Sequence, residues 1–170
     1  KLGIVGMGRI GQAVAKRARG FDMEVHYFNR RRLPEDQEFG ATYHASIDDL
    51  LPHCDFLSLH CPSTPETRGM VNRNFIAKLP DGAIIVNTAR GDIVNDKDLI
   101  AALKSGKLTA AGLDVFAGEP NIEPTYRDLP NTFLLPHLGS ATVETRNAMG
   151  FRALDNIDAF IEERVIPFKV

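Results

Sequence analysis

Cysteine is scarce in this chain: Cys54 and Cys61 are the two such residues among 170. They form no CxxC pair, and with five scattered histidines they show no metal-ligand spacing. That argues against a disulfide scaffold and a zinc module, and it fits two reduced thiols in a cytoplasmic protein. An excess of charge is missing too, because 20 Lys and Arg stand against 22 Asp and Glu, for a formal charge of −2. So small an imbalance argues against a nucleic-acid-coating surface or a polybasic membrane patch, while leaving room for a local basic pocket. No apolar run approaches the roughly 20 residues that a bilayer crossing requires. No secretory leader is visible, since residues 1–5 read as a strand that runs straight into glycines. Internal repeats and low-complexity stretches are absent.

What is present is an alternation of short, β-branched apolar runs with longer amphipathic ones. Residues 2–5, 24–28, 56–59, 83–86, 110–115 and 133–135 read as buried strands, with a further short one at 42–43. Helical patterns fall at 10–19, 47–51, 74–78 and 97–105, and one long helix is expected over 141–164 with Leu154, Ile157 and Ile161 on one face. Ser46 with Asp49 has the form of a capping box, Asp96 is a candidate cap, and Gly106 a candidate helix stop. Strands buried on both faces and separated by helices predict an α/β fold: a doubly wound parallel sheet of the Rossmann type with a long C-terminal helix. Residues 1–170 then form one dinucleotide-binding domain. Right-handed crossovers would gather the strand C-termini along one rim, where a ligand sits at the topological switch point. The stretch 118–131, with three prolines, is the longest reach without a pattern and could serve as a lid or an interface arm.

Gly6, Gly8 and Gly11 make a GxGxxG between the first strand and the first helix. Alone that is a weak signal; between strand and helix it is a dinucleotide fingerprint. Gly6 permits the tight turn, Gly8 lets backbone approach a pyrophosphate, and Gly11 lets helix and strand pack closely. Arg9 and Ile10 open the helix whose N-terminus would face the phosphates. An NAD-selective site places Asp or Glu at the end of the second strand, to bind the ribose 2′-hydroxyl. Here Asn29, Arg30, Arg31 and Arg32 stand there instead. Guanidinium groups suit a 2′-phosphate, so NADP is the expected preference, with NAD as the other cofactor.

Three further motifs stand at strand ends: Val86-Asn87-Thr88-Ala89-Arg90-Gly91, Gly112-Leu113-Asp114-Val115-Phe116-Ala117-Gly118-Glu119-Pro120, and Leu135-Pro136-His137-Leu138-Gly139-Ser140-Ala141-Thr142. Together they supply a cation, carboxylates and an imidazole. With Leu59-His60-Cys61-Pro62 and the glycine fingerprint, they resemble the D-isomer-specific 2-hydroxyacid dehydrogenases, in order along essentially the whole chain. Within that family the likeness is closest to glyoxylate and hydroxypyruvate reductases. Formate dehydrogenases are more distant, because their acid/base histidine pairs with glutamine where this chain has Glu119.

The resemblance implies that Arg90 binds the substrate carboxylate and carbonyl, that His137 is the acid/base and that Glu119 orients it. Asp114 would sit near the nicotinamide carboxamide. Pro62 and Thr88 would line the cofactor, with Cys61, Thr67, Ala89 and Gly139 beside them. It also implies a substrate domain largely absent from these residues, a homodimer through the cofactor domain and a small 2-keto or 2-hydroxy acid as substrate. The remaining histidines, His26, His44, His53 and His60, lack such motif company and read as structural. A dinucleotide-sensing module of the corepressor type, which shares the fold, is the alternative reading.

Overall fold

The computed structural model describes residues 1–168. The chain divides into two compact units, Lys1–Pro136 and His137–Val170.

The first unit is built on one seven-stranded, wholly parallel sheet. Its strands are β1 (Leu2–Val5), β2 (Val25–Phe28), β3 (Thr42–His44), β4 (Phe56–Leu59), β5 (Ala83–Asn87), β6 (Leu108–Leu113) and β7 (Thr132–Leu134), in the order β3-β2-β1-β4-β5-β6-β7. The direction of travel reverses at β1 and β4, so the switch point lies where the glycine fingerprint leaves β1. Four helices connect these strands: α1 (Arg9–Ala18), α2 (Ile47–Leu50), α3 (Arg73–Ala77) and α4 (Asp96–Ser105). All four residues of β1 are buried, as a central parallel strand requires. Two apolar cores result: a larger one including Leu57, Ile85, Leu99 and Leu108, and a smaller one including Ile4, Met7, Ala15 and Tyr27.

The helix ends show local chemistry at work. Ser46 caps α2 by accepting from Asp49 N at 3.1 Å, and Asn72 caps α3 through Phe75 N at 3.1 Å. At α4 the cap is Asn95, not Asp96: the Asn95 Oδ1 accepts from Asp98 N at 3.2 Å. Asp96 lies inside the first turn, where a cap's extended backbone is no longer possible. Its carboxylate accepts from the Tyr126 hydroxyl instead, at 2.8 Å. Gly106 ends α4 in the left-handed region, φ 78°, as expected of a helix stop.

Two further expectations change. β6 runs from Leu108 rather than from 110 and leaves strand geometry after Leu113, although Asp114 N still donates to Asn87 O at 3.0 Å. The stretch 118–131 is not patternless, since Pro124–Asp128 forms a 3₁₀ turn. Its Tyr126 is fully buried, and the Tyr126 carbonyl accepts from Thr132 Oγ1 at 2.8 Å, so the segment is pinned.

The second unit holds α5 (Val143–Ile161), capped by Thr142 through Thr145 N at 3.1 Å. It is shorter at both ends than the expected 141–164, because Thr142 takes cap geometry and Glu163 turns left-handed at φ 54°. Leu154, Ile157 and Ile161 are each more than half exposed.

Candidate functional site

Because the sheet is wholly parallel, the C-termini of β1, β2, β4, β5 and β6 share one edge. A cavity of about 590 Å³ opens at the switch point. Gly6, Gly8, Asn29, Arg30, Cys61, Pro62 and Thr67, each singled out from sequence, line it.

The glycines are required by space. Gly6 adopts φ +97°, and a Cβ there would meet Cys61 N at 2.6 Å. A Cβ on Gly11 would meet the Gly6 carbonyl oxygen at 2.3 Å. Gly8 is different: nothing lies within 4 Å of its Cβ position, so the room beside it belongs to the cavity. It is also the N-cap of α1, with no side-chain cap and no acidic residue in the first turn. The first-turn N–H groups, at the positive end of the helix, therefore adjoin an open space that a Cβ on Gly8 would invade. A pyrophosphate is the group that fits this cradle. Arg9 and Ile10 begin α1 and are exposed, Ile10 by 66%.

The loop after β2 sorts the three arginines. The Arg32 fork grips buried Glu38 at 2.8 and 3.1 Å, and Tyr27 OH donates to the same carboxylate at 2.6 Å. The Arg32 guanidinium, then the Tyr27 hydroxyl, hold the Glu38 carboxyl below its ordinary value. Burial pushes the Tyr27 phenol up to about 12. Arg32 is thus a brace, contrary to the sequence reading that placed it among possible phosphate contacts. Asn29 accepts from Met7 N at 3.3 Å and donates to Arg31 O at 3.0 Å, tying this loop to the glycine turn. Arg30 is left lining the cavity, while exposed Arg31 does not line it.

Across the cavity, Thr67 Oγ1 donates to Pro62 O at 2.7 Å and accepts from Thr64 N at 2.8 Å, fixing the wall that follows β4. His60, read from sequence as structural, also lines this cavity. It shares a 2.9 Å hydrogen bond with Ser58, and burial pushes its imidazole pKa down. Sequence reasoning also passed over Phe28, Ile47 and Met70 in this wall, because they look like ordinary core residues.

Beyond β5, Thr88, Ala89 and Arg90 lie in a turn clamped by Asn87, a buried residue that the sequence reading left unassigned. The Asn87 amide accepts from Ala89 N at 3.0 Å and donates to Arg90 O at 2.9 Å. Arg90 is exposed, with Nη1 donating to Ala89 O at 2.6 Å. Asp114 is buried just beyond β6. Glu119 accepts from Phe116 N at 2.7 Å, which folds the 116–119 turn about its carboxylate. None of Thr88, Ala89, Arg90, Asp114 and Glu119 lines the 590 Å³ cavity. His137 and Gly139 belong to the second unit, where His137 adopts a left-handed φ of 57°.

Comparison with known proteins bears on this arrangement. The profile of the D-isomer specific 2-hydroxyacid dehydrogenase NAD binding domain matches residues 1–139. A glycerate dehydrogenase from Hyphomicrobium methylovorum is 56% identical over 160 residues, covering 93% of this chain and 50% of that protein. A glyoxylate reductase structure from Paecilomyes thermophila superposes with a TM-score of 0.91 at 45% identity, over 95% of this chain and 49% of that one. The NADPH-dependent glyoxylate/hydroxypyruvate reductase from Sinorhizobium meliloti, in complex with NADP and malonate, gives 0.90 at 36% identity, over 95% and 50%. The chain thus spans about half the length of the relatives it matches.

Proposed function

This chain belongs to the D-isomer specific 2-hydroxyacid dehydrogenases, and from that premise we propose that its protein reduces a small 2-keto acid, of the glyoxylate or hydroxypyruvate type, with a nicotinamide dinucleotide. The observation that carries this reading is the glycine cradle: Gly8 is both the uncapped start of α1 and part of the cavity wall. A bound dinucleotide supplies the hydride. The chain's own residues do the rest. Arg90 grips the substrate carboxylate and polarises the neighbouring carbonyl, a task suited to an exposed guanidinium on a clamped turn. His137 delivers the proton to the carbonyl oxygen and Glu119 orients it, while Asp114 serves the carboxamide. A substrate domain, outside these 170 residues, closes the cleft. The relatives named above support the substrate class, and nothing in the fold favours the sensing module. The protein is cytoplasmic in this reading; among the described residues no helix is long and apolar enough to cross a membrane.

The finer reading is a preference for NADP over NAD. Asn29 offers an amide where a carboxylate would repel a 2′-phosphate, and Arg30 lines the cavity beside it. One charge-assisted hydrogen bond of about 1.5–3 kcal/mol corresponds to roughly ten- to hundredfold in binding. With the full-length protein and a panel of 2-keto acids, glyoxylate and hydroxypyruvate should turn over, with kcat/KM higher for NADPH than for NADH. Added salt should narrow that gap, because Arg30 is exposed. Asn29→Asp with Arg30→Ile should reverse it, one change adding repulsion and the other removing attraction. No turnover of any keto acid would refute the enzyme, and an NADH-preferring wild type would refute only the cofactor assignment.

For assembly the proposal is an isologous homodimer through the cofactor domain, the commonest closed arrangement of soluble oligomers. Light scattering should return twice the protomer mass at micromolar concentration; a protomer mass that does not change with concentration would count against it.

A further inference from the structure

Three of the histidines that look isolated in sequence meet in space. His26 lies on β2 and is 4% exposed. Its Nδ1 is 3.0 Å from Nε2 of His44, the last residue of β3. Its Nε2 is 2.9 Å from Glu24 Oε1. The ring of His53 stacks on that of His26 at 4.9 Å with 12° between planes, and stands 5.1 Å from the ring of His44. Among the described residues no three His, Cys, Asp or Glu are arranged to hold a metal ion, so a metal centre is not the reading.

The cluster adjoins the candidate dinucleotide cavity by two routes. His44 stands in register beside Phe28, which lines the cavity. His53 ends the 3₁₀ turn that continues α2, and the first residue of α2, Ile47, lines the cavity as well. His26 and His44 on the sheet thus meet His53 on the segment whose first residue, Ile47, helps to line the cavity.

A hydrogen bond between two imidazole nitrogens needs one N–H and one lone pair. His26 and His44 can keep theirs with one proton between the facing nitrogens, and it is lost when both carry one. The surrounding charges are mixed. Glu24, before β2, favours a proton on His26, and Asp49, on α2, favours one on His44. Lys1, ahead of β1, and the neighbouring imidazoles oppose them. Burial is the largest influence, and both His26 and His44 are held below the ordinary histidine value. Groups so depressed bind fewer protons in the packed state than in an opened one. The packing is then fully favourable above the ordinary value and weakens as pH falls below it.

We propose that the His26–His44 pair, with the His53 ring stacked on it, forms an acid-sensitive latch: with the pair neutral it holds α2 and its Ile47 against the dinucleotide cavity, and with both members of the pair protonated it releases them. This rests on the dinucleotide reading above and adds a mode of regulation to that site.

ADP-ribose is the suitable probe: it lacks the nicotinamide, so it is indifferent to a proton on the acid/base histidine, and it takes up no proton itself between mild acid and neutrality. Calorimetry on the full-length protein at about pH 7.5 and about pH 5.5 should show wild-type affinity falling by about five- to tenfold, tenfold being the limit for one linked proton over one pH unit. His53→Gln and His44→Gln should each flatten that dependence to less than about threefold on the same scale. Histidine Cε1–H resonances of the wild type provide a readout that needs no variant: those of His26 and His44 should titrate below the ordinary value, and lower still with ADP-ribose bound. Equal wild-type affinity at both pH values, an undiminished dependence in the folded variants, or ordinary titration of both resonances would each overturn the latch. Failure of the wild type to bind ADP-ribose, NAD or NADP even at neutral pH would refute the dinucleotide reading itself, and the latch with it; binding of NADP without any binding of ADP-ribose would overturn the latch as stated.

Discussion

Replacing His137 with Asn should lower kcat for keto-acid reduction by about 100-fold or more, the usual scale of general acid catalysis, while dinucleotide affinity changes little. The carbonyl oxygen needs a proton as hydride arrives at carbon, and the chain offers few donors. Arg90 is assigned above to the substrate carboxylate. Glu119 accepts a backbone hydrogen bond from Phe116, an arrangement that suits a carboxylate. Burial keeps the His60 imidazole pKa down, and its ring is bonded to Ser58. His26, His44 and His53 are gathered about β2 and β3. The proposed mechanism therefore assigns the proton to His137. Asn is the appropriate replacement because His137 has a left-handed backbone, φ 57°, which Asn adopts more readily than other side chains do. The loss should therefore be chemical rather than structural. Single-turnover rates and dinucleotide Kd, measured on wild type and variant, separate the two. A variant with near-wild-type turnover would remove His137 from this role.

The parts of the site that were legible in sequence are those where one residue type answers one local demand. Gly6 and Gly11 announce a tight turn and a close packing, and both stand where the pattern put them, while Gly8 borders open space. The sheet was legible because central parallel strands are apolar throughout, as β1 is. What depends on distant partners was not. Nothing in the run Arg30, Arg31, Arg32 says that the third would turn to Glu38, since that choice also needs the Tyr27 hydroxyl. His26 stands 18 positions before His44, with His53 later still, so their meeting is a product of the fold. The Asn87 clamp looks like any polar residue at a strand end until its two hydrogen bonds are seen. Asn95 against Asp96 is a narrower miss, because either side chain can cap and backbone geometry alone decides.

Gly91→Ala should be the most damaging single-methyl change in the cofactor domain. Gly91 is buried and directly follows Arg90. Its backbone is not left-handed, so the cost comes from space rather than from φ. A Cβ would stand 1.9 Å from Phe116 C, 2.2 Å from Phe116 O and 2.3 Å from Ala117 N. All three are main-chain atoms, so no rotamer change can relieve the overlap. The 116–117 backbone is held from both sides: Phe116 N donates to Glu119, and the Phe116 side chain packs in the larger core with Tyr126 at 6.2 Å. Overpacking of a fitted interior typically costs about 1–3 kcal/mol and occasionally more, and a backbone collision belongs at the upper end. Relief would require moving the Arg90 turn away from the Glu119 turn, so any variant that folds should lose substrate affinity as well as stability. Gly112→Ala is the control, since its Cβ would find Val86 Cγ2 at 3.8 Å, an ordinary contact. Gly8→Ala is the complement: nothing lies within 4 Å, so the protein should fold normally yet bind dinucleotide poorly. Urea unfolding of the three variants, with dinucleotide binding measured beside it, tests the set. If Gly91→Ala unfolds at the wild-type midpoint, the packing of the Arg90 and Glu119 turns against each other is not what this geometry describes.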